Sequence, residues 1–272
     1  MAEAKSVQSL MKTLIVGLIG ASLFGCAVAI PVHEDNSAQT LGKGKWDVAL
    51  LGGAGPTVGP RNFPSGSQPG AGVFPQMFTG FRVARGITKT YDAELEADAS
   101  VFGGGEFSLA VIHQWYGPSY FETRAGDNYA GMRFRYTSAS GYEDNPSTWS
   151  NSSSDSTFGN NIFVSSLNAD TLTFANSWGH ATASWFGVYA GLEAGTSHLR
   201  AQLRDGGPTG TPYSDDRYAF FGGPLAGFSL HSTGQTMRVA LTFEIEYLSV
   251  PNTFTNGNKM GLFASEGLHF TF

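Results

Sequence analysis

Two segments of this chain alternate with a two-residue period so strictly that they exclude most folds. In YDAELEADAS (Tyr91–Ser100), Tyr91, Ala93, Leu95, Ala97 and Ala99 interleave with Asp92, Glu94, Glu96, Asp98 and Ser100. In residues 238–247, Val239, Leu241, Phe243, Ile245 and Tyr247 interleave with Arg238, Ala240, Thr242, Glu244 and Glu246. A helix would set Asp92 beside Glu96 and Glu94 beside Asp98, like-charge pairs each unfavourable by about 0.2–0.5 kcal/mol. A strand sends every carboxylate to one face and every apolar group to the other. The same period runs through Trp46, Val48 and Leu50; through Met77, Thr79, Phe81 and Val83; through Ala130, Met132, Phe134 and Tyr136; and through Phe186, Val188, Ala190 and Leu192. It is weaker near residues 107–116, 161–176 and 218–230. No helical stripe appears after residue 40.

The segments run to about 9–13 residues, longer than the usual strand mode of about 5–6. They match the roughly 9–11 residues of a tilted strand that crosses a bilayer. Strands of alternating polarity separated by turn residues predict a transmembrane barrel, and backbone groups in lipid require that barrel to close. Composition agrees. Charged residues make up 14% of 272 residues, against roughly 25% in soluble domains. The net charge of −6 argues against a nucleic-acid partner. One cysteine rules out a disulfide framework and a Cys-based zinc site.

Residues 11–30 (MKTLIVGLIGASLFGCAVAI) place Lys12 before an apolar run, the order of an export signal. The run ends in Leu23, Phe24, Gly25 and Cys26, which resembles the bacterial lipobox. The resemblance implies lipidation at Cys26, with residues 1–25 as a lipoprotein-type signal peptide. Ala27 follows in place of a retention Asp, which implies an anchor in the outer membrane. Cleavage after Ala29 and a buried Cys26 in an uncleaved apolar helix are the other two readings. Residues 26–44, polar and turn-rich, are expected to be a periplasmic linker, and residues 45–272 the barrel.

The chain ends Leu268, His269, Phe270, Thr271, Phe272. Leu268, Phe270 and Phe272 share one face and an aromatic stands last, which looks like the β-signal of Gram-negative outer-membrane proteins. That resemblance implies a bacterial outer-membrane location and recognition by the barrel assembly machinery. It points to no single family. Short turns at residues 86–90, 177–182 and 231–236 are expected in the periplasm, where the N-terminus also lies. Long connections at residues 55–73, 139–160 and 197–217 are expected outside. Residues 103–106 and 117–127 fit that scheme less well. The expected fold is an all-β antiparallel transmembrane barrel of about ten strands, eight to twelve being the range.

On this reading the even face of residues 91–100 lines the lumen and the odd face meets lipid. Arg82, Asp92, Glu94, Glu96, Asp98, Arg133, Arg135, Arg238, Glu244 and Glu246 all point inward, and Arg82 is placed to pair with Glu94 or Glu96. They form either a structural ion network or a charged constriction that selects solutes. Glu266 shares parity with Leu268 and Phe270, so a bulge near Gly267 or an end-of-strand position is required. No metal or cofactor is expected, since metal-ligand spacings are absent. The Gly-rich pieces at residues 52–55 and 103–105 open no helix and are not phosphate loops.

The expected role is porin-like or structural, in contact with outer-membrane lipids. Outward Ala93, Ala97 and Ala99 would permit close packing of barrels, which motivates a homo-oligomer. One rival is an outer-membrane hydrolase acting on lipid or peptide, using His113 with Ser108 or His198 with Asp215 and Asp216. Another is a secreted, soluble β-sandwich binding module.

Overall fold

The computed structural model describes residues 38–55, 76–100, 105–141, 162–205, 211–234, 236–251 and 258–272. They form ten strands: β1 (Trp46–Gly55), β2 (Gln76–Gly86), β3 (Tyr91–Ser100), β4 (Gly105–Tyr116), β5 (Asn128–Gly141), β6 (Ile162–Ala183), β7 (Phe186–Asp205), β8 (Thr211–His231), β9 (Arg238–Pro251) and β10 (Asn258–Thr271). Each strand pairs antiparallel with its chain neighbours, and β1 pairs with β10, so the sheet closes into a barrel. At that seam Val48 stands opposite Phe270 and Leu50 opposite Leu268. The seam ends where Trp46 and Phe272 exchange both backbone hydrogen bonds at 2.8 Å.

The two faces are inverted relative to a soluble protein. Leu95, Phe107, Leu109, Val111, Phe134, Leu172, Leu192, Leu241 and Ile245 are exposed on the outside. Glu94, Glu96, Arg133, Glu244 and Glu246 are buried inside. A soluble sandwich would bury the first set, so the β-sandwich alternative is excluded. A bilayer-spanning barrel requires this arrangement. Trp46, Tyr91, Trp115, Tyr116, Trp185 and Phe272 cluster around the end that holds both chain-end strands' outer limits, as an interfacial girdle does.

Strand heights are uneven. The strands β1 to β3 have 10 or 11 residues, whereas β6, β7 and β8 have 22, 20 and 21. Two connections expected from the sequence are therefore corrected. Residues 177–182 are strand, and the turn between β6 and β7 lies at residues 184–185. Most of residues 197–217 is the upper part of β7 and β8 rather than a loop. The weakly alternating segment is a strand, and residues 162–176 belong to the longest one.

Gly179 explains the misplaced turn. A Cβ there would stand 2.1 Å from the Tyr129 ring. The glycine is present so that an inward aromatic can lie flat across the neighbouring strand. Gly227 under Tyr189 and Gly195 under Phe221 follow the same rule. Glu266 is a further correction. The register of β10 against both β9 and β1 is unbroken around it, so no bulge turns it inward. It sits within the strand, exposed, on the outer face.

Candidate functional site

The interior is built in layers. The middle layer is ionic because β3 carries a carboxylate at every second position from Asp92 to Asp98, and Arg82 of β2 and Arg133 and Arg135 of β5 face inward beside them. Arg82 stands opposite Glu96 in the β2–β3 register, with Nη1 3.9 Å from Oε2. Arg133 meets Glu94 through two contacts, Nε to Oε2 at 3.2 Å and Nη2 to Oε1 at 3.3 Å. Arg135 Nη1 lies 3.4 Å from Glu96 Oε1. Arg82 and Arg133 are 0% and 1% exposed, so this layer is packed rather than wet.

All ten charges read from the sequence as inward are buried: Arg82, Asp92, Glu94, Glu96, Asp98, Arg133, Arg135, Arg238, Glu244 and Glu246. Asp47, Glu106 and Glu193 join them and were not on that list, although each has the parity of its inward neighbours. The buried set thus holds nine carboxylates and four guanidiniums. Carboxylate oxygens of Glu96, Asp98 and Glu106 lie within 4.8 Å of one another. Oxygens at that spacing suit a hard divalent cation. Arg82 and Arg135 already engage Glu96, which makes the group part of the ion network.

Toward the far end the interior turns apolar, with Phe221, Leu248 and Phe263 in one cluster and Leu199 among Ala139, Ala169 and Ala219 in another.

The opposite end is closed by a floor that the sequence did not reveal. Residues 38–41, expected within the linker, are buried across it. Ala38 N–H donates to Ser177 Oγ at 2.9 Å, and Thr40 N–H to Gln114 Oε1 at 2.9 Å. The Thr40 hydroxyl donates within reach of Gln114 Oε1 (2.6 Å) and Lys89 O (2.9 Å). Leu41 N–H donates to Asp92 Oδ2 at 2.6 Å. Gly131 leaves room for the strap, since a Cβ there would stand 2.1 Å from the Ala38 carbonyl oxygen.

The connection 117–127 completes the floor. Tyr120 N–H donates to Thr40 O at 2.8 Å, and Gln39 Nε2 donates to Pro118 O and Thr123 Oγ1. Arg238 latches this connection. Its guanidinium donates to Gly234 O, Tyr120 O and Phe121 O and lies 5.1 Å from both aromatic ring centroids. Burial pushes the Tyr120 phenol above its usual range, and the charge of Arg238 pulls the other way. The length of residues 117–127, which fitted a plain turn poorly, is the length needed to fold under the barrel.

One carboxylate–imidazole–hydroxyl series occurs here among the described residues. His269 Nδ1 donates to Asp47 Oδ2 at 2.9 Å, and its Nε2 lies 3.0 Å from Thr242 Oγ1. Thr271 donates to the other Asp47 oxygen at 2.8 Å. The order is that of nucleophilic catalysis, but all four side chains are buried at the β1–β10–β9 seam, which offers a substrate no access.

The histidine pairings imagined from the sequence do not form a triad. His113 faces outward, stacked on Tyr91 at 4.3 Å, while Ser108 faces inward and bonds Thr137. His198 does meet Asp216, Nε2 to Oδ1 at 2.7 Å, but its ring stacks on Tyr218 and no serine hydroxyl contacts it among the described residues. Of the C-terminal residues, Phe272 is exposed and Leu268 and Phe270 are partly exposed on the outer face. Cys26 and the rest of the export-type segment lie outside the described residues.

No family model matches the chain, and no curated protein sequence matches it. Among solved structures, it is similar to the translocator domain of the autotransporter NalP from Neisseria meningitidis, with 11% identity, 100% of this chain and 97% of that chain covered, and a TM-score of 0.39. It is also similar to Ail, the attachment invasion locus protein of Yersinia pestis, at 7% identity, coverage of 85% and 99%, and a TM-score of 0.36. The outer membrane protein OprG from Pseudomonas aeruginosa follows at 9% identity, coverage of 87% and 99%, and a TM-score of 0.34. Likenesses of this size say nothing of what the chain binds or does; the closed barrel rests on its own strand pairing.

Proposed function

We propose that this chain is a structural outer-membrane barrel of a Gram-negative bacterium, closed to solutes in the state described, with its floor toward the periplasm. The observation that carries the reading is the inverted surface: Leu241, Phe243 and Ile245 stand outside while Glu244 and Glu246 are buried between them. Hydrocarbon is the solvent that stabilises such a surface. The packed ionic layer and the buried strap support a filled lumen over an open one. An export-type N-terminus and outward Leu268, Phe270 and Phe272 support delivery to the outer membrane by the barrel assembly machinery. Lipidation at Cys26 belongs to the same proposal, and the mass of the mature N-terminus tests it.

Reconstitution in planar bilayers tests the closed lumen. Purified protein is expected to need detergent, to migrate faster on gels unheated than boiled, and to add no conductance steps. Steady ohmic conductance in the unmodified protein would overturn the closed reading. A porin-like role is the second reading. It is favoured by the excess of buried carboxylates, which would prefer cations wherever the lumen opened.

A further inference from the structure

Glu266 breaks the rule that organises this barrel. Its neighbours along the outer face of β10 are Ala264 and Leu268, and across the sheet it stands opposite Phe243 and Gly52. It lies six residues before the chain end. At about 3.4 Å per residue and a tilt of about 40°, that places it roughly 15 Å above the girdle. The apolar band is about 25 Å tall, so the carboxyl sits near mid-membrane. Among the described residues, Arg85 on this face lies at the lower rim and Asp170, Arg200 and Asp216 lie on the upper wall, and no ion pair reaches Glu266.

An ionisable group at that depth is unfavourable against hydrocarbon and marks a contact with something that can hydrogen-bond it. We propose that the contact is a second copy of this chain, and that the outer face of β10 and β1 around Glu266 is a two-fold dimer interface. The inference rests on the membrane reading above.

Two observations select that partner. A two-fold axis along the membrane normal returns every residue at its own depth. The second copy therefore presents a carboxyl level with the first, and two carboxyls that share a proton are self-complementary. The ground around Glu266 is also low. Gly52 lies directly under it, with Glu266 Oε1 3.9 Å from where a Cβ would stand, and on that β1 side Ala54 and Ala264 carry nothing beyond Cβ, while Phe243 stands opposite on the β9 side. Small residues permit close approach between membrane elements, and a polar group then supplies the directional bond. The rest of the belt, from Leu241, Phe243 and Ile245 on β9 round to Phe107, Phe134 and Leu192, carries larger exposed side chains.

The test uses the full chain in liposomes, carrying Cys26→Ser so that an added cysteine is the only thiol. Ala264→Cys is expected to form a disulfide-linked dimer under mild oxidation, at least about tenfold more than Leu192→Cys on the far wall. Adding Glu266→Gln, whose amide is also self-complementary, is expected to keep that yield. Adding Glu266→Leu is expected to abolish it. Leucine suits lipid better than a carboxylate, so heat-modifiable migration should persist and exclude misfolding. Equal cross-linking at residues 264 and 192, or a dimer indifferent to Glu266→Leu, would overturn the proposal and leave lipid or another protein as the occupant. Protein that stayed dissolved without detergent would overturn the membrane reading itself.

Discussion

Arg133 shows how the interior is held at the scale of single residues. Its guanidinium grips both oxygens of Glu94 in a setting with almost no exposed surface. Removing one partner of such a pair leaves a buried charge and costs about 3–5 kcal/mol, whereas replacing both by apolar groups of similar size is often neutral or better. Arg133→Ala should therefore lower unfolding stability in vesicles by about that amount, while Arg133→Met combined with Glu94→Leu should restore most of it; urea midpoints measure both. The outer face obeys the opposite rule. Leu241→Arg should cost about 2–4 kcal/mol at mid-membrane, and the same titration reads it. Parity made these inward charges legible in the sequence. Their pairing was legible only in part, because cross-strand register decides whether Arg82 meets Glu94 or Glu96, and register is set by the turn at residues 87–90.

At the scale of elements, the strands with charge on one face and large apolar groups on the other announced themselves, as β3 and β9 do. The strands β6 and β8 were faint because their inner faces carry Gly179, Gly223 and Gly227 beside threonine and alanine, which blunts the contrast between faces. Their height was hidden for a different reason. Above the membrane the outer face turns polar, with His198, Arg200 and Gln202, while Leu199 and Ala219 face in, so the polarity of the two faces reverses along one strand and that stretch reads as a loop. The strap was hidden most completely. Residues 38–41 contain little apolar surface, and what holds them is a set of side chains as far as 139 residues away. Gly131→Val tests the strap as an element. Its side chain would occupy the place of the Ala38 carbonyl, so the amides of Thr40 and Leu41 should exchange with solvent at least about tenfold faster. The amides of β3 and β4 should keep their protection.

At the scale of the whole molecule, the uneven strands give the barrel an oblique rim. The longest strand exceeds β3 by 12 residues, 22 against 10. At about 3.3 Å per residue and a tilt of about 40°, the wall of β6 to β8 rises roughly 30 Å above the low side. On this wall Arg200 meets Asp170, His198 meets Asp216, and Tyr136 donates to Asp170. With the floor toward the periplasm, Ser214→Cys on the wall should react with a membrane-impermeant maleimide on intact cells. Lys89→Cys in the turn after β2 should react only after the outer membrane is breached. The reverse pattern would mean that the barrel is inserted upside down.

The strap also sets an order of events. Its residues leave the ribosome before any strand, yet the groups that receive them belong to β3, β4, β6 and the connection 117–127. What is synthesised first therefore has nowhere to settle until more than half of the wall stands, and a barrel with one of those strands out of register leaves its leading end loose. Seating of residues 38–41 therefore comes late and reports on the register of every strand that receives them.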